Sequence, residues 1–289
     1  MNYISSISKQ SQGIIYIIIS CLFVSFMIGI VRHLSYNYHV MFILMMRCLF
    51  SLLFFIPDLL ISYKKLLSTN NFKWHLLRGL NSSASNFVWF YVVSILPLAD
   101  IVSISFTIPI ITVIAAMFIF KEKVDNRIWL SLFLGFLGVL IILRPGIKDV
   151  GYQYLFVLIS VILWSATNIM TKKLSHTESP KTIVAYLTII MFAISFPLSI
   201  PFFAKIDFNS LCWFVLLGLV SNLAYFFISL AYSKADLSIL QPFDFTRLVF
   251  TSIIAYFAFG EVIDLFTIIG SLIILFGAAL ILGGKKNKI

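Results

Sequence analysis

The chain has 289 residues, of which 61% are hydrophobic and only 11% are charged. This apolar share lies far beyond that of soluble domains, which excludes an ordinary water-soluble enzyme. The net charge of +10 would suit a nucleic-acid-binding protein, but the basic residues stand mainly in short breaks between apolar runs. Nucleic acid is therefore not expected as a partner.

Apolar runs that are long enough to span a bilayer follow one another along the chain. In the first half, the predicted spans are 13–31, 41–62, 76–96, 101–120 and 128–143. In the second half, they are 152–171, 183–203, 212–232, 237–259 and 265–283. Runs of roughly 16 to 23 residues suit a hydrocarbon core about 30 Å thick. The sequence therefore predicts an all-α integral membrane protein with ten transmembrane helices.

One segment of the chain occurs twice. Residues 85–100 begin with Ser-Asn and end with Ala-Asp, and residues 221–236 have the same residues at both ends. The chain is therefore predicted to contain two five-helix repeats, 13–146 and 152–283. Because five is an odd number, the second repeat must enter the bilayer in the opposite orientation. Such inverted repeats are typical of alternating-access transporters.

The distribution of basic residues predicts the orientation in the membrane. If the N-terminus is cytoplasmic, most lysines and arginines fall in the inner segments. The outer loops then hold Arg32, Arg144, Lys148 and Lys205. The reverse orientation would reverse this bias, so the positive-inside rule predicts that both termini are cytoplasmic.

Several short strings follow one another in a fixed order. In the first half they are Arg78-Gly79, Leu96-Pro97-Leu98-Ala99-Asp100, Lys121-Glu122, Gly135-Phe136-Leu137-Gly138 and Arg144-Pro145-Gly146. In the second half they are Trp164, Lys172-Lys173-Leu174, Gln241-Pro242-Phe243-Asp244-Phe245-Thr246-Arg247-Leu248 and Phe259-Gly260-Glu261. By this ordered set, the chain resembles the EamA type of the drug/metabolite transporter superfamily.

This resemblance implies ten helices in two inverted five-helix repeats. It also implies a central substrate cavity lined mainly by the first four helices of each repeat, with the fifth at the periphery. The spacing from Pro242 to Glu261 resembles a subgroup that includes S-adenosylmethionine uptake carriers of intracellular bacteria. In the first helix, Phe23 stands at the position that matches Trp164, and Lys173 then corresponds to Arg32.

Asp244 and Arg247 are charged residues inside the ninth predicted span. A charge at membrane depth costs about 2.5–3.5 kcal/mol or more, so it normally pairs or faces a wet cavity. Residues three apart share a helix face, so the two side chains can form an internal ion pair. In the alternative, Asp244 binds a cationic group of the substrate or carries a coupling proton, and Arg247 binds an anionic group.

Arg47 lies in the second predicted span, too far from its end for the side chain to reach the interface comfortably. A buried guanidinium needs a partner. An acid or a helix-end carbonyl inside the bundle is one expectation for that partner, and a substrate carboxylate is the other. The sequence leaves both open.

Asn86 and Asn222 occupy equivalent positions in the two repeats, and Trp89 and Tyr225 follow one turn later on the same helix face. Such polar side chains either join neighbouring helices or line a cavity. Trp164 lies in the middle of a span rather than at the interface. Aromatic rings beside amide groups would suit a planar or cationic solute, and packing alone is the alternative interpretation.

The remaining polar residues have structural interpretations. Glu122 and Glu261 follow the fourth and ninth spans and are expected to act as caps or interhelical partners. Asp100 and Asp236 begin those spans, where a carboxylate can cap free amides. Close helix approach is expected at Gly135, Gly138, Gly270 and Gly277.

No catalytic or metal-binding motif is found. The four histidines fall in loops or at span ends, so no buried histidine relay is expected. The three cysteines, Cys21, Cys48 and Cys212, are isolated, so neither a disulfide nor a metal site is expected. The loops leave no room for a nucleotide-binding domain, so transport would use a gradient or exchange.

These features predict a secondary active transporter or exchanger in a bacterial inner membrane. Its expected partners are membrane lipid and a small hydrophilic metabolite, no cofactor is expected, and a homodimer is left open. S-adenosylmethionine uptake is the leading expectation for the cargo. Efflux or uptake of amino acids, vitamins or drugs is the alternative, and a polytopic membrane enzyme is a remote one.

Overall fold

The computed structural model describes residues 8–93, 96, 98–145 and 151–282. In the first half, the helices are α1 (Lys9–Ser35), α2 (Val40–Leu53), α3 (Ile56–Leu67), α4 (Phe72–Val93), α5 (Leu98–Ser105), α6 (Ile108–Ile119) and α7 (Asn126–Leu143). In the second half, they are α8 (Gln153–Ser175), α9 (Pro180–Ser199), α10 (Phe208–Lys234), α11 (Leu237–Leu240), α12 (Thr246–Phe259) and α13 (Leu265–Leu282). Short 3-10 turns cover Ile200–Phe202 and Gln241–Phe245. The described residues contain no strand, which confirms the all-α prediction.

Seven stretches among the described residues have the length and hydropathy to cross a membrane. They are Lys9–Ser35, Ile101–Ile119, Asn126–Leu143, Gln153–Ser175, Pro180–Phe202, Phe208–Lys234 and Leu265–Leu282. Each overlaps a predicted span, so a helical membrane protein with several passes is confirmed. Predicted features that lie outside the described residues are Pro97, Gly146, Lys148 and the capping side chain of Asp100.

Three predicted spans are divided in the structure. The span 41–62 forms α2 and α3, the span 101–120 forms α5 and α6, and the span 237–259 forms α11, a 3-10 turn and α12. The second residue after each break is a proline: Pro57, Pro109 and Pro242. Proline has no N–H to donate and is best tolerated in the first turn of a helix, which fits the start of a new element at these positions.

Aspartates outside the helices cap several of them. Asp125 accepts from the amide of Ile128, Asp207 from Ser210 and Asp264 from Thr267. The bonds from Ser210 lower the pKa of the Asp207 carboxyl. The bonds from Thr267, assisted by Arg144, lower the pKa of Asp264 in the same way.

The expected capping role of Asp236 is wrong. Its side chain makes no capping bond at the start of α11. The carboxylate of Glu122 does this instead, accepting from the amides of Leu237 at 3.1 Å and Ser238 at 2.8 Å. The cap comes from the turn after α6, a long-range contact that a local pattern does not reveal, and it fulfils the predicted interhelical role of Glu122.

Helix packing follows the same pattern in the two halves. α1 packs against α10 and α12, and α8 packs against α4 and α6. α2 packs on α10, and α9 packs on α4. Exchanging the halves therefore maps one set of contacts onto the other. α7 and α13 pack on each other, and a Cβ on Gly138 would lie 2.6 Å from the carbonyl oxygen of Gly270.

The corner after the first helix of each half corrects the expected alignment. Ser35 donates to the carbonyl of Arg32, and Ser175 donates to the carbonyl of Lys172. After each serine, backbone amides donate hydrogen bonds in the same pattern, to the carbonyl of Leu34 in the first half and to the carbonyl of Leu174 in the second. Arg32 therefore corresponds to Lys172 rather than to Lys173, and Phe23 lies one position away from the match to Trp164.

One of the four histidines, His75, is buried. It lies near the start of α4, as predicted, but it is 1% exposed and stacks on Tyr186 at 4.4 Å. Neither ring nitrogen has a hydrogen-bond partner among the described residues. α9, which carries Tyr186, covers the first turn of α4 and buries this ring.

The α7–α13 contact yields a stability prediction. Gly138→Val should lower the unfolding midpoint in detergent, because its side chain would collide with the Gly270 carbonyl and with Ile274. Overpacking of this kind typically costs about 1–3 kcal/mol. The control is Leu137→Val at a neighbouring position that is 36% exposed and should change the midpoint little. Equal midpoints for the two variants would contradict this close approach.

Candidate functional site

Arg47 lies in α2 and is only 7% exposed. Its guanidinium donates to the hydroxyl of Tyr225 at 3.2 Å and lies 5.7 Å from the centre of that ring. It also approaches the sulfur atoms of Met27 and Met191, each at 3.9 Å. Within the described residues, Arg47 forms no ion pair with a carboxylate. The described residues therefore supply it with neutral partners only.

Tyr225 and Asn222 lie one turn apart on α10, as their spacing predicts. Asn222 donates to the carbonyl of Ser51 in α2 at 2.9 Å. Ser51 in turn donates to the carbonyl of Gly218 at 3.1 Å. These bonds hold α2 and α10 in register and fix Tyr225 beside Arg47. Asn222 thus joins helices, the first of its two expected roles.

Asp244 and Arg247 form an ion pair at 3.2 Å, as their spacing predicts. Asp244 lies in the 3-10 turn before α12, and Arg247 lies in the first turn of that helix. Their side chains are 19% and 26% exposed, so both are partly accessible. The guanidinium of Arg247 also lies 5.2 Å from the centre of the Phe106 ring.

α1 links these two charged groups. Its Met27 contacts Arg47, and its Cys21 thiol donates to Asp244 at 3.9 Å. Ser25, between them, donates to the carbonyl of Arg247 at 3.0 Å. Six residues of helix span about 9 Å along the axis. The region beside α1, between Arg47 and Asp244, is therefore the candidate site.

The other predicted site residues lie apart from this region. Asn86 donates to the carbonyl of Ser82 in its own helix at 2.7 Å. Trp89 packs against a cluster formed by Val92, Ile101 and Val157. Trp164 is half-buried on α8. The structure brings together Arg47, Asn222 and Tyr225 as one group and Asp244 with Arg247 as another, and both groups contact α1.

Two buried cations were missed as candidates because the sequence places them near inner loops. Arg78 is fully buried in α4 and donates to the hydroxyl of Thr171 at 2.7 Å and to the carbonyl of Ile183 at 3.0 Å. Lys172 is buried at the end of α8. Arg78 falls two residues inside the predicted span 76–96, and that position could have identified it as a buried cation from the sequence.

A cavity of about 40 Å³ lies between α1 and α12 and is lined in part by Ser25, Arg32 and Thr251. Ligand pockets usually enclose about 300 Å³ or more, so α1 and α12 must separate before a metabolite can enter there. A groove of about 410 Å³ lies between α7 and α13, against Arg127 and Phe276. None of its lining residues belongs to the candidate site.

Comparison with known proteins assigns the class of the molecule. A solved crystal structure shares this fold with a TM-score of 0.80 at 15% identity, covering 93% of this chain and 96% of that one. The chain is 28% identical to an S-adenosylmethionine uptake transporter of Rickettsia prowazekii, over 89% of this chain and 87% of the relative. It is 30% identical to a riboflavin transporter of Brucella anthropi, over 71% of this chain and 74% of the relative.

These findings, with the apolar helices, define a multi-pass transport protein of the bacterial inner membrane, as the sequence predicts. The model of the EamA-like transporter family matches residues 11–144 and 151–283. The chain belongs to the EamA-like transporter family, which confirms the predicted resemblance.

The surroundings of Arg47 yield a prediction that separates a structural role from a binding role. Arg47→Met should leave the unfolding midpoint of the ligand-free protein unchanged or raise it, because it removes a buried charge that has no acidic partner among the described residues. Leu44→Ala, at a buried position on the same helix, is the comparison and should cost about 2–5 kcal/mol. A midpoint for Arg47→Met as low as that of Leu44→Ala would identify Arg47 as a structural anchor.

Proposed function

We propose that this chain is a secondary active transporter or exchanger that carries a small hydrophilic metabolite across the inner membrane by alternating access. Its leading cargo is S-adenosylmethionine or a molecule of the same chemistry. Amino acids, vitamins or drugs are the alternatives within the family. The observation that carries this proposal is the buried guanidinium of Arg47, which has only neutral partners among the described residues and contacts the same helix, α1, as Asp244 does.

The chemistry of these groups matches a zwitterionic cargo. A carboxylate bound to Arg47 would supply the anion that the described protein groups do not, and charge-assisted bonds of this kind are the strong ones. A sulfonium or ammonium group would meet Asp244, in competition with Arg247. The 3.2 Å pair must loosen for that contact, which would couple cargo binding to movement of the 3-10 turn. The name of the Rickettsia prowazekii relative supports this cargo.

The architecture we propose is ten transmembrane helices in two inverted five-helix repeats, 13–146 and 152–283, with both termini cytoplasmic. The two stretches matched by the family model support two repeats. Contacts between loops also support the alternation of sides. Partners on the proposed outer side are Tyr38 with Asp207 and Arg144 with Asp264. Partners on the proposed inner side are Asp58 with Lys181 and Thr69 with Glu178.

Cysteine labelling tests this topology. In a background without native cysteines, Ser68→Cys should react with a membrane-impermeant maleimide only from the cytoplasmic side. Lys205→Cys should react only from the outside. Both positions are exposed, so access is set by the side of the membrane and not by burial. Reaction of both positions from the same side would contradict the inverted arrangement.

Flux in proteoliposomes tests the cargo. Labelled S-adenosylmethionine should enter with saturable kinetics and show counterflow when the vesicles are preloaded with unlabelled compound. Asp244→Asn and Arg47→Met should each lower the rate by about tenfold or more, because truncating one partner of a buried charged contact costs about 2–5 kcal/mol. Asp58→Asn is the matched control, since its exposed pair with Lys181 involves none of the site residues, and it should retain the wild-type rate.

Different failures of this experiment have different meanings. Saturable flux of riboflavin without flux of S-adenosylmethionine would support the alternative that the cargo is a vitamin. The name of the Brucella anthropi relative corresponds to that alternative. Wild-type flux in both site variants would contradict the site. Flux that never saturates for any metabolite would contradict a carrier mechanism.

A further inference from the structure

The groove between α7 and α13 lies at the surface of the helix bundle, away from the candidate site. It encloses about 410 Å³, which is within the range of pockets that hold small ligands. Leu130 of α7 lines it together with Phe276, Ala279 and Leu280 of α13, and the remaining lining residue is Arg127. Leu130 is 48% exposed and Phe276 is 61% exposed. The groove is therefore an open, apolar channel with a single cation.

The register of the two helices places Arg127 at one end of this groove. Ser131 in α7 donates to the carbonyl of Gly277 in α13 at 2.6 Å. Further along α7, Gly138 lies against Gly270, which comes earlier in α13, so the two helices are antiparallel. Arg127 precedes Ser131 by about one helical turn. The apolar lining therefore extends from the guanidinium towards the middle of both helices.

Arg127 is exposed and has no carboxylate partner among the described residues. None of the four ion pairs in that part of the chain involves it. The other exposed arginines, Arg32 and Arg144, pair with Glu261 and Asp264. Arg144 caps the opposite end of α7. Protein groups thus satisfy the cation at one end of this helix and leave the cation at the other end for an external anion.

The charges around Arg127 favour such an anion. Lys121 and Lys123, in the turn before α7, are exposed and take part in none of the described ion pairs. The two carboxylates of the same turn already accept hydrogen bonds from backbone amides. Glu122 accepts from the start of α11, and Asp125 accepts from the first turn of α7. A ligand that enters the groove therefore meets a positive end.

We propose that this groove binds one phospholipid with a negatively charged head group. The phosphate contacts the guanidinium of Arg127, and an acyl chain lies between Leu130 and Phe276. Basic pockets between transmembrane helices on the cytoplasmic side are suited to anionic head groups. The assignment of this lipid to the inner leaflet rests on the topology proposed above, whereas the binding itself does not.

The composition of the groove selects a lipid over other occupants. A soluble anion would satisfy Arg127 but leave the apolar lining uncovered, and an apolar chain alone would leave the cation without a partner. A zwitterionic head group would bring a positive group towards Arg127 and the two lysines. α7 and α13 contain no acidic residue, so two copies of this face packed about a two-fold axis would bring like charges together.

Lipid titration of the full chain in detergent tests the site. Native mass spectrometry counts the bound molecules of phosphatidylglycerol or of phosphatidylcholine with the same acyl chains. One phosphatidylglycerol should bind saturably and about fivefold tighter than phosphatidylcholine, since each nearby cation contributes to the attraction. This preference should fall as the salt concentration rises, because the contact with the head group is exposed.

Charge variants test the head-group contact. Arg127→Gln should weaken phosphatidylglycerol binding by about fivefold or more and remove the preference over phosphatidylcholine. Arg127→Lys keeps the charge and should keep the preference. Lys73→Gln is the matched control, because Lys73 is also an exposed cation at the second position of a helix, α4, and it should bind as the wild type does.

A second pair of variants tests the acyl-chain contact. Ala279→Leu fills the groove without changing the charge, so it should weaken the binding of phosphatidylglycerol by a similar factor. Ala279 is exposed, so the larger side chain can be accommodated without disturbing the helix pair. Ala258→Leu adds the same bulk at an exposed position on α12 and should leave binding unchanged.

Equal affinity of the wild type for the two lipids would overturn the proposal, and so would equal effects of Arg127→Gln and Lys73→Gln. Wild-type binding by Ala279→Leu would place the lipid outside the groove. A dimer in detergent that Ala279→Leu dissociates would assign the groove to a second copy of the chain. Each variant is titrated only after it elutes as a single species. Binding is measured without flux, so the lipid site and the cargo fail separately.

Discussion

The structure depends on one constraint: backbone polar groups at membrane depth must find partners inside the protein. A continuous helix satisfies them by itself, but the chain breaks at α2–α3, α5–α6 and α11–α12, where prolines begin the next element. At the α10–α11 corner, the free carbonyls are bound by Lys172 and the free amides by Glu122. Lys172 and Glu122 thus provide hydrogen-bond partners for the free backbone groups of this corner, and these backbone groups provide partners for both charges.

The buried cations of the described residues differ in how well protein groups satisfy their hydrogen-bond donors. Lys172 and Arg78 have carbonyl or hydroxyl partners at 2.7–3.0 Å and stabilise helix packing. Arg47 has one tyrosine hydroxyl at 3.2 Å and two sulfur atoms, which are weak acceptors. A guanidinium with five donors is poorly satisfied by that set. The contrast between these cations, more than burial alone, is the reason why we propose Arg47 as a binding group.

Much of the fold could be predicted from the sequence because lipid imposes long apolar runs, and these runs are visible without an alignment. The breaks were not predicted: Pro57, Pro109 and Pro242 stand inside the predicted spans, but so does Pro197, which lies within the continuous helix α9. What the sequence did not reveal depends on contacts distant along the chain. Asp236 looked like the cap of α11, but Glu122 performs that role from another helix.

The same distinction applies to the candidate site. The pairing of Asp244 with Arg247 follows from helical spacing and is local. The contact of Arg47 with Tyr225 joins α2 to α10, and the sequence predicted both residues without joining them. The burial of His75 and Arg78 depends on α8 and α9 covering the start of α4. The turns after α6 and α12 likewise share a left-handed residue that their local sequences do not reveal, because Lys121 holds a conformation that costs about 1 kcal/mol or more, whereas Gly260 adopts it freely.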